Sequence, residues 1–305
     1  MLRMLIVSLI LVAALPTGGN AGNSADHNQK AILVTGASTG IGRKITERLA
    51  ADGYFVYAGA RKEADLQALG AIKNVQAVRL DVTKPQDIDA AVETVTKAGR
   101  GLYGLVNNAG VVTIGPLIDT TPEEFDLMMQ VNAYGPYRVT KAFAPLIVAH
   151  RGRIINIGSI SGILNDPDGG AYQMSKHALE TFSVTLAQEL APSGVQVSII
   201  EPGGYKSDIY KNEVERSGTG KQYVDEWTKL KEPDEVAAAV ESALFEPRPK
   251  LRYMVVPIQE QAEITIKAQI EQLVQLNEGQ RYTYDRATLI KMLDAALVGA
   301  RPRSK

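Results

Sequence analysis

The sequence predicts an α/β fold: a doubly wound parallel sheet in a single domain, followed by a C-terminal helical extension. From residue 31 onward, short apolar segments alternate with segments of helical periodicity, and this alternation is typical of such folds. Most apolar segments are continuous and do not alternate with polar residues, which indicates strands buried on both faces of the sheet. The predicted strands span residues 31–35, 54–58, 75–80, 104–107, 153–157, 195–201 and 251–256.

Helices are predicted between these strands, and two of them begin with clear signals. Pro85 fits the first turn of its helix. Thr121 and Glu124 match a capping box at the start of the next one. The predicted helices span residues 41–51, 85–98, 122–150, 172–190 and 233–245.

The chain continues for about fifty residues after the last predicted strand. Regularly spaced apolar residues there predict an amphipathic helix around Ile266, Ile270 and Leu273, and a second helix over 285–297. We expect both helices to cover the sheet or the ligand cleft. The predicted organisation is an N-terminal segment (1–28), a sheet domain (29–256) and a helical extension (257–305).

The N-terminal segment has the features of a secretory signal. Arg3 precedes an apolar run of twelve residues, 4–15, and a small polar stretch follows up to residue 28. Twelve residues are too few to span a bilayer, for which roughly 20 are needed. We therefore expect the protein to be exported or associated with a membrane through this segment. If the chain instead starts at Met4 or later, we expect a cytoplasmic protein.

The composition excludes several classes of function. The formal net charge is −1, so no global charge favours binding to nucleic acid. The absence of cysteine rules out disulfides, thiolate catalysis and zinc–sulfur sites. With only three histidines, His27, His150 and His177, a histidine-rich metal site is not expected either. The composition therefore disfavours nucleic-acid binding, thiolate chemistry and metal sites built from cysteine or histidine.

A glycine-rich turn follows the first predicted strand and leads into the first helix. Glycines allow a tight turn, let the backbone approach a pyrophosphate, and let the helix pack closely on the sheet. The N–H groups and the positive dipole end of the helix then face the anion. The alternative is an ordinary loop that contains three glycines. The residues predicted to contact a dinucleotide here are Gly36, Ser38, Thr39, Gly40, Ile41 and Gly42.

The end of the second predicted strand indicates which dinucleotide is bound. Folds that bind NAD commonly have an acidic residue about 20 residues beyond the turn, where it binds the ribose 2′-hydroxyl. Ala60 lies at that position, and Arg61 and Lys62 follow it. These cations favour NADP(H) over NAD(H), because a 2′-phosphate accepts charge-assisted hydrogen bonds from them. The alternative is that both are solvated surface cations.

Tyr172 and Lys176 are four residues apart and therefore lie on one face of a predicted helix. An ammonium about 4 Å from a phenol, at an effective dielectric constant of about 20, supplies on the order of 4 kcal/mol, or roughly three pKa units. We therefore expect Lys176 to lower the pKa of Tyr172 into the range of a general acid or base. Ser159 follows a strand end that lines the ligand crevice, and we expect it to hold the substrate oxygen. An ordinary surface pair is the alternative for Tyr172 and Lys176.

Six sequence elements follow one another in a recognisable order. They are the glycine turn 35–42, residues 80–83, residues 107–110, Asn132, the group of Ser159, Tyr172 and Lys176, and Pro202 with Gly203. In order and spacing they resemble the single-domain branch of the short-chain dehydrogenase/reductase family, over residues 31–256. The resemblance implies a Rossmann fold and an oxidoreductase that interconverts an alcohol and a ketone or aldehyde.

The resemblance also implies a role for each site residue. Tyr172 would donate or accept the proton, and Lys176 would also bind the nicotinamide ribose. Ser159, whose spacing to Tyr172 favours it over Ser161, would orient the substrate oxygen. Asn132 would help to hold a water that relays protons past Lys176. The further cofactor contacts expected are Arg61, Asp81, Val82, Asn108, Ala109, Gly110, Pro202, Gly203 and Ser207, the last where the family often has threonine.

The substrate is predicted from weaker signals. Residues 131–140 and 199–203 resemble the branch that includes retinol and hydroxysteroid dehydrogenases, which implies a bulky apolar alcohol or ketone. The predicted lid over the substrate is the segment 205–230, with Tyr210, Tyr223 and Trp227. In this family the helices 122–150 and 172–190 would form subunit contacts, so we expect a homodimer or homotetramer.

Three other functions stay open. The same machinery suits a reductase of acyl thioesters or small polyketides. A sensor that binds NADPH without catalysis is disfavoured because Asn132, Ser159, Tyr172 and Lys176 are all present. An epimerase or dehydratase of the sugar-nucleotide branch is disfavoured because about fifty residues after the last strand are few for a substrate domain.

Overall fold

Seven parallel strands form one sheet at the centre of the protein. The structure is a computed structural model that describes residues 29–218 and 221–300, apart from the side chains of residues 222, 223, 299 and 300. The order across the sheet is β3-β2-β1-β4-β5-β6-β7, and all neighbouring strands are parallel. The predicted doubly wound sheet is confirmed. The strands are β1 (Ala31–Val34), β2 (Phe55–Ala60), β3 (Val75–Arg79), β4 (Gly104–Asn107), β5 (Arg153–Ile157), β6 (Gln196–Pro202) and β7 (Arg252–Val255).

Helices cover both faces of the sheet. Within the described residues the α-helices are α1 (Gly40–Ala51), α2 (Glu63–Gly70), α3 (Pro85–Lys97), α4 (Pro122–Asn132), α5 (Tyr134–Ala149), α6 (Gly170–Leu190), α7 (Ile209–Ser217), α8 (Lys221–Thr228), α9 (Asp234–Phe245), α10 (Gln259–Asn277) and α11 (Arg286–Ala300). One apolar core joins α1, α2 and α9 to the sheet, and a second core joins α3, α5 and α6 to the opposite face. Because both faces are covered, strands such as β1 and β4 are buried at every residue, which explains their continuous apolar runs.

The helix predicted over 122–150 is in fact two helices, α4 and α5. They are separated at Ala133, whose backbone torsions are φ −113° and ψ −59°. Pro136 lies in the first turn of α5 and has no N–H, so it cannot donate to the carbonyl of Asn132, four residues earlier. The prediction of one continuous helix was wrong because it ignored this proline.

The direction of the sheet order reverses between β1 and β4. From β1 the chain adds β2 and β3 on one side, and it then returns to add β4, β5, β6 and β7 on the other. In parallel α/β sheets, the crevice at such a reversal, beside the carboxyl ends of the strands, is where ligands bind. The fold therefore directs attention to the loops that follow β1, β4, β5 and β6.

The C-terminal extension consists of α10 and α11. Of the residues in α10 only Thr265 is fully buried, and most apolar side chains of both helices are exposed. In the parts of the chain that the structure describes, no helix is both long and apolar enough to cross a membrane. The predicted signal segment, 1–28, lies outside the described residues.

Candidate active site

One cavity of ≈ 380 Å³ lies at the carboxyl ends of the strands, where the sheet order reverses. The glycine turn after β1 forms one wall, and α6 with the loop after β6 forms the opposite wall. Among the residues predicted from sequence as the site, Asn132 alone does not line this cavity. The structure brings the others together: Gly36, Ser38, Thr39, Gly40, Ile41, Gly42, Arg61, Asp81, Val82, Asn108, Ala109, Gly110, Ser159, Tyr172, Lys176, Pro202, Gly203 and Ser207.

Thr35 and Asn108 fix the glycine turn against the end of β4. The Thr35 hydroxyl accepts the N–H groups of Asn108 and Ala109, each at 3.0 Å. The Asn108 carboxamide donates to the carbonyls of Thr35 at 2.9 Å and Gly36 at 3.0 Å. Gly36 has φ +64°, and a Cβ there would lie 2.8 Å from Cα of Ala109. At Gly42 a Cβ would lie 2.3 Å from the Gly36 carbonyl oxygen. Only glycine fits at these two positions.

The start of α1 fits a phosphate group. Thr39 precedes the helix without making a side-chain capping bond, and the first turn contains no acidic residue. The N–H groups of that turn are left for another acceptor, and they lie at the cavity wall with the positive end of the helix dipole. Ser207 closes the cradle from the opposite side, since a Cβ on Gly40 would lie 3.0 Å from Cβ of Ser207. The residues present therefore fit the pyrophosphate of a dinucleotide cofactor.

Two cations lie at the end of β2. Arg61 lines the main cavity, and Arg61 and Lys62 both line a second cavity of ≈ 160 Å³ that adjoins the glycine turn. Neither cation has a salt-bridge partner among the described residues. Ala60, the last residue of β2, is buried and lines the main cavity at the position where an acid would bind a ribose 2′-hydroxyl. Lys211 also lines the second cavity, together with the acids Asp65, Asp208 and Glu215, so charges of both signs lie at this corner.

Asp81 follows β3 and lines the same corner. Thr83 donates its N–H and its hydroxyl to Oδ1 of Asp81, at 3.0 and 2.7 Å. Burial alone would raise the pKa of Asp81. The two hydrogen bonds from Thr83 and the charges of Arg61 and Lys84 together hold that pKa below its ordinary value. Asp81 is thus an ionised acceptor at neutral pH.

Ser159, Tyr172 and Lys176 meet at the other end of the cavity. The turn after β5 carries Ser159, and the first two turns of α6 place Tyr172 and Lys176 on one face. Ser159 and Tyr172 both line the cavity, and Ser159 lowers the pKa of the phenol. The Lys176 ammonium donates to the Ile157 carbonyl at 2.9 Å and lies 5.6 Å from the centroid of the Tyr172 ring. Ser161 also lines the cavity, but its N–H donates to the Ser159 hydroxyl at 3.0 Å.

The expectation that Lys176 brings the pKa of Tyr172 below that of a free tyrosine is wrong for this structure, because burial of the phenol outweighs any effect of the ammonium. Burial raises the pKa of the phenol to about 12, and the hydrogen bond with Ser159 offsets only part of that rise. Burial also lowers the pKa of Lys176 to about 8, against the opposing effect of Glu180. The expectation assumed an ammonium directed at the phenol oxygen, whereas here it is bound to a backbone carbonyl. At neutral pH Tyr172 is therefore protonated.

Asn132 lies behind this group, at the end of α4. Its carboxamide accepts the N–H of Val111 and donates to the carbonyl of the same residue, both at 2.9 Å. It also donates to the Ser175 hydroxyl on α6 at 2.9 Å. The side chain therefore ties the segment after β4 to the helix that carries Tyr172. The backbone carbonyl of Asn132 lacks its usual helical donor because of Pro136, so it can accept a hydrogen bond from another group.

The predicted lid, 205–230, contains α7 and α8. Tyr210 and Trp227 line the cavity with their ring centroids 4.3 Å apart, whereas the Tyr223 side chain lies outside the described residues.

A buried contact that the sequence analysis missed, called the lid latch below, fastens α7 to the loop after β4. It consists of the fully buried Glu213, which accepts a hydrogen bond from Thr113 at 3.2 Å and pairs with Arg216.

Gln261, from the first turn of α10, is a second residue that the sequence analysis missed. Its side-chain oxygen accepts the N–H of Gly204 at 3.0 Å, and it lines the cavity. A Cβ on Gly203 would lie 2.0 Å from that oxygen, so glycine is required there for the contact. Nothing in the local sequence around Gln261 indicates this contact, because its partner lies 57 residues earlier.

Comparison with known proteins agrees with the fold. A family model described as short chain dehydrogenase matches residues 30–218, more than half of the chain. The chain belongs to the short-chain dehydrogenase family. The match includes the glycine turn, Ser159, Tyr172 and Lys176, and it ends at the end of α7.

Curated relatives of this short-chain dehydrogenase have different substrates in their names. Rat mitochondrial D-beta-hydroxybutyrate dehydrogenase is 34% identical over 224 residues, which are 65% of this chain and 65% of the relative. Mouse retinol dehydrogenase 5 is 41% identical over 184 residues, 58% of this chain and 57% of the relative. The uncharacterized oxidoreductase YbbO of Escherichia coli strain K12 is 33% identical over 232 residues, 74% and 86% of the two chains. The match thus spans under two thirds of the first two relatives.

Solved structures share the fold across most of the chain. A short-chain dehydrogenase from Streptomyces avermitilis is 30% identical with a TM-score of 0.70, covering 84% of this chain and 100% of that one. A serine dehydrogenase complexed with NADP+ is 28% identical with a TM-score of 0.68, covering 74% and 94%. A short-chain dehydrogenase/reductase from Burkholderia phymatum in complex with NAD has a TM-score of 0.72, covering 85% and 100%, but at 22% identity it shows the fold alone.

Proposed function

We propose that this chain is a nicotinamide-dependent oxidoreductase that interconverts an alcohol and a ketone or aldehyde. The observation that carries the proposal is that Ser159, Tyr172 and Lys176 line the same cavity as the glycine turn. When bound along this cavity, a nicotinamide cofactor supplies hydride to the carbonyl carbon or accepts it from the alcohol carbon. The glycine turn and the start of α1 would hold its pyrophosphate.

The proton chemistry follows from the side chains. The hydroxyls of Ser159 and Tyr172 can both donate to a substrate oxygen, which stabilises the charge that develops on it during reduction. Tyr172 then gives up its proton to that oxygen as a general acid. The buried ammonium of Lys176, 5.6 Å from the ring centroid, favours the tyrosinate that is left. In the oxidation direction the same residues act in reverse.

Reprotonation of Tyr172 requires a route past Lys176. The Asn132 carbonyl is suited to this route because Pro136 leaves it without its helical donor. The Asn132 carboxamide fixes the position of that carbonyl by binding Val111 and Ser175. In this proposal Asn132 acts through its backbone, and its side chain positions it.

NADP(H) is the cofactor we favour. Arg61 and Lys62 lie at the corner where the ribose 2′ position is expected, they have no salt-bridge partner among the described residues, and no acid occupies position 60. A 2′-phosphate would gain charge-assisted hydrogen bonds there. Both NAD and NADP occur among structural neighbours, so the support comes from these residues and not from the comparisons.

The substrate we favour is a bulky apolar alcohol or ketone. The cavity near Tyr172 is walled by apolar and aromatic side chains that include Val112, Ile160, Ile209, Tyr210 and Trp227. Such walls favour an apolar ligand over a small charged acid. The names of the retinol and estradiol dehydrogenases among the relatives support this class, whereas that of D-beta-hydroxybutyrate dehydrogenase supports a small hydroxy acid.

The test is turnover followed by nicotinamide absorbance. The full chain is offered NADPH and NADH with steroid ketones, retinal, acyl-thioester ketones and acetoacetate, and the variant Arg61→Ala is assayed beside it. We expect turnover of apolar ketones with NADPH, and a loss of NADPH preference of roughly tenfold or more in Arg61→Ala, since a charged hydrogen bond contributes about 1.5–3 kcal/mol. Preference for NADH would contradict the cofactor assignment. Tight NADPH binding without turnover of any substrate would contradict the oxidoreductase.

A further inference from the structure

Glu180 is a buried acid that the chemistry described above does not use. It lies on α6 one helical turn after Lys176 and two turns after Tyr172, so the three share one face of the helix. The residue is 7% exposed. Its Oε2 accepts from Arg252, and its Oε1 has no hydrogen-bond partner among the described residues. Burying a carboxylate oxygen without a hydrogen-bond partner costs free energy, so its presence here calls for an explanation.

The unpartnered oxygen lies directly beneath the turn that carries Ser159. A Cβ placed on Gly158 would lie 3.2 Å from Oε1, and a Cβ placed on Gly162 would also lie 3.2 Å from it. These two glycines flank the segment with Ser159. The carboxyl group of Glu180 therefore touches the backbone of the active-site turn with no side chain between them.

A second buried acid and one cation complete the cluster. Glu201 on β6 is 2% exposed and accepts from Arg252 at 2.7 Å. Two buried carboxylates thus share one guanidinium, which disfavours ionisation of both. Burial, followed by the nearby charge of Glu201, raises the pKa of Glu180 to about 7, although Arg252 opposes the rise.

Three charged groups of the described residues interact with Glu180. Lys176 lies on its own helix, Glu201 on β6 and Arg252 on β7. The short turn 160–162 above it contributes no ionisable side chain. Burial lowers the pKa of Lys176, and the negative charge of Glu180 acts in the opposite direction. Ionised Glu180 therefore helps Lys176 to keep its proton.

We propose that Glu180 is a positioning residue of this active site: held by Arg252 beneath the Ser159 turn, its carboxylate keeps Lys176 charged and thereby sets the alkaline limit of turnover. The clause on turnover rests on the proposed function, whereas the clause on Lys176 does not. Neutralising Glu180 removes a charge that favours the ammonium, so the pKa of Lys176 falls and Lys176 is lost as a cation at a lower pH.

The first test is the pH dependence of kcat/KM in Glu180→Gln, which keeps the size and polarity of the side chain. The control is Glu189→Gln, an exposed acid on the same helix. We expect the alkaline decline of kcat/KM to occur at a pH about one unit lower in Glu180→Gln than in the wild type. The pH profile of the control should be unchanged. A limb that does not move, or that moves equally in both variants, would overturn the proposal.

A second variant tests the same proposal through a substitution outside α6, in case Glu180→Gln disturbs the folding of that helix. Arg252→Gln leaves the sequence of that helix unchanged and removes the cation that favours ionised Glu180. Glu180 should then stay protonated to higher pH, and the alkaline limb should again move downward. An upward shift or an unchanged limb in a folded Arg252→Gln protein would contradict the account.

A readout without turnover separates this inference from the proposed function. The Nζ signal of Lys176 is followed by NMR in lysine-labelled protein and assigned with Lys176→Arg. We expect Lys176 to titrate at lower pH in Glu180→Gln than in the wild type. If it does so while no substrate is turned over, the positioning role stands and the oxidoreductase proposal fails. If Lys176 titrates identically in both proteins, the positioning role fails whatever the activity.

Discussion

The two halves of the cavity are built in different ways. In the half that we propose for the cofactor, called the cofactor half, backbone forms the pyrophosphate cradle: glycines that a Cβ would push against Ala109 or against the Gly36 carbonyl, and the free N–H groups at the start of α1. Arg61 and Asp81 add side chains at its corner. The substrate half consists of side chains that fasten separate segments together. Glu213 on α7 binds Thr113, 100 residues earlier, and Gln261 on α10 binds Gly204, 57 residues earlier.

This difference teaches which parts of the site can vary. A backbone cradle admits few substitutions, because any side chain fills the space of the ligand or of its own turn. The substrate half can be rebuilt by exchanging the side chains that latch the lid. Relatives that share the family but name hydroxybutyrate, retinol and estradiol as substrates are consistent with such a division.

The largest effect is expected in the cofactor half, from Gly42→Ala. The new Cβ would lie 2.3 Å from both the Asn108 side chain and the Gly36 carbonyl oxygen, so the turn has to move. We expect NADPH to bind at least roughly tenfold more weakly, since local strain of about 1–3 kcal/mol has to be relieved. The measurement is the quenching of Trp227 fluorescence as NADPH is added, since Trp227 is the only tryptophan of the chain.

The matched control is Gly70→Ala at the end of α2, where a Cβ would meet nothing within 4 Å. It should bind NADPH like the wild type. Equal weakening in both variants would mean that the effect comes from general destabilisation and not from the cradle.

A smaller, differently placed effect is expected from Arg216→Ala in the lid latch. The substitution removes the Arg216 cation from beside Glu213, which is 0% exposed. Breaking a buried pair costs about 3–5 kcal/mol, and the lower end applies because Arg216 is partly exposed. We expect α7 to undock, so that hydrogen exchange over 209–217 rises and the KM for substrate increases.

Affinity for the cofactor should change little in Arg216→Ala, since the glycine turn is untouched. Glu226→Ala, an exposed acid in α8, is the control. A loss of cofactor affinity as large as the rise in KM would break the division between the two halves.

The smallest effect is expected from Gln261→Ala. It removes one hydrogen bond to the Gly204 N–H, which is worth about 1 kcal/mol. We expect roughly a fivefold rise in the KM for substrate at unchanged kcat. Gln275→Ala, exposed on the same helix, should leave KM as it is. If Gln261→Ala lowers kcat instead, the residue acts on the chemistry and not on the substrate loop.

The same contrast explains what the sequence could predict. The glycine turn, the strands and the Tyr172–Lys176 pair lie within short stretches, so their spacing alone predicts their geometry. The contact of Gln261 with Gly204 and the latch of Glu213 depend on the packing of distant segments. Glu213 and Arg216 have the three-residue spacing of an ordinary surface pair, and no local signal shows that Glu213 is buried.

Two predictions from the sequence, the continuous helix 122–150 and the lowered pKa of Tyr172, were wrong for physical reasons. The break between α4 and α5 was signalled by Pro136, which has no N–H for the Asn132 carbonyl. The pKa of Tyr172 could not be predicted because burial was invisible in the sequence. A pairwise estimate with Lys176 predicted a lower pKa, whereas burial of the phenol raises it to about 12.

The central claim is that Tyr172 supplies the proton in a cavity that binds a nicotinamide cofactor. The measurement that tests it most directly compares wild type, Tyr172→Phe and the exposed control Tyr282→Phe for NADPH binding and for ketone reduction in the same preparations. We predict that Tyr172→Phe binds NADPH like the wild type but reduces the ketone roughly 10²–10⁴-fold more slowly, with Tyr282→Phe unaffected. Reduction by Tyr172→Phe at the wild-type rate would contradict the account.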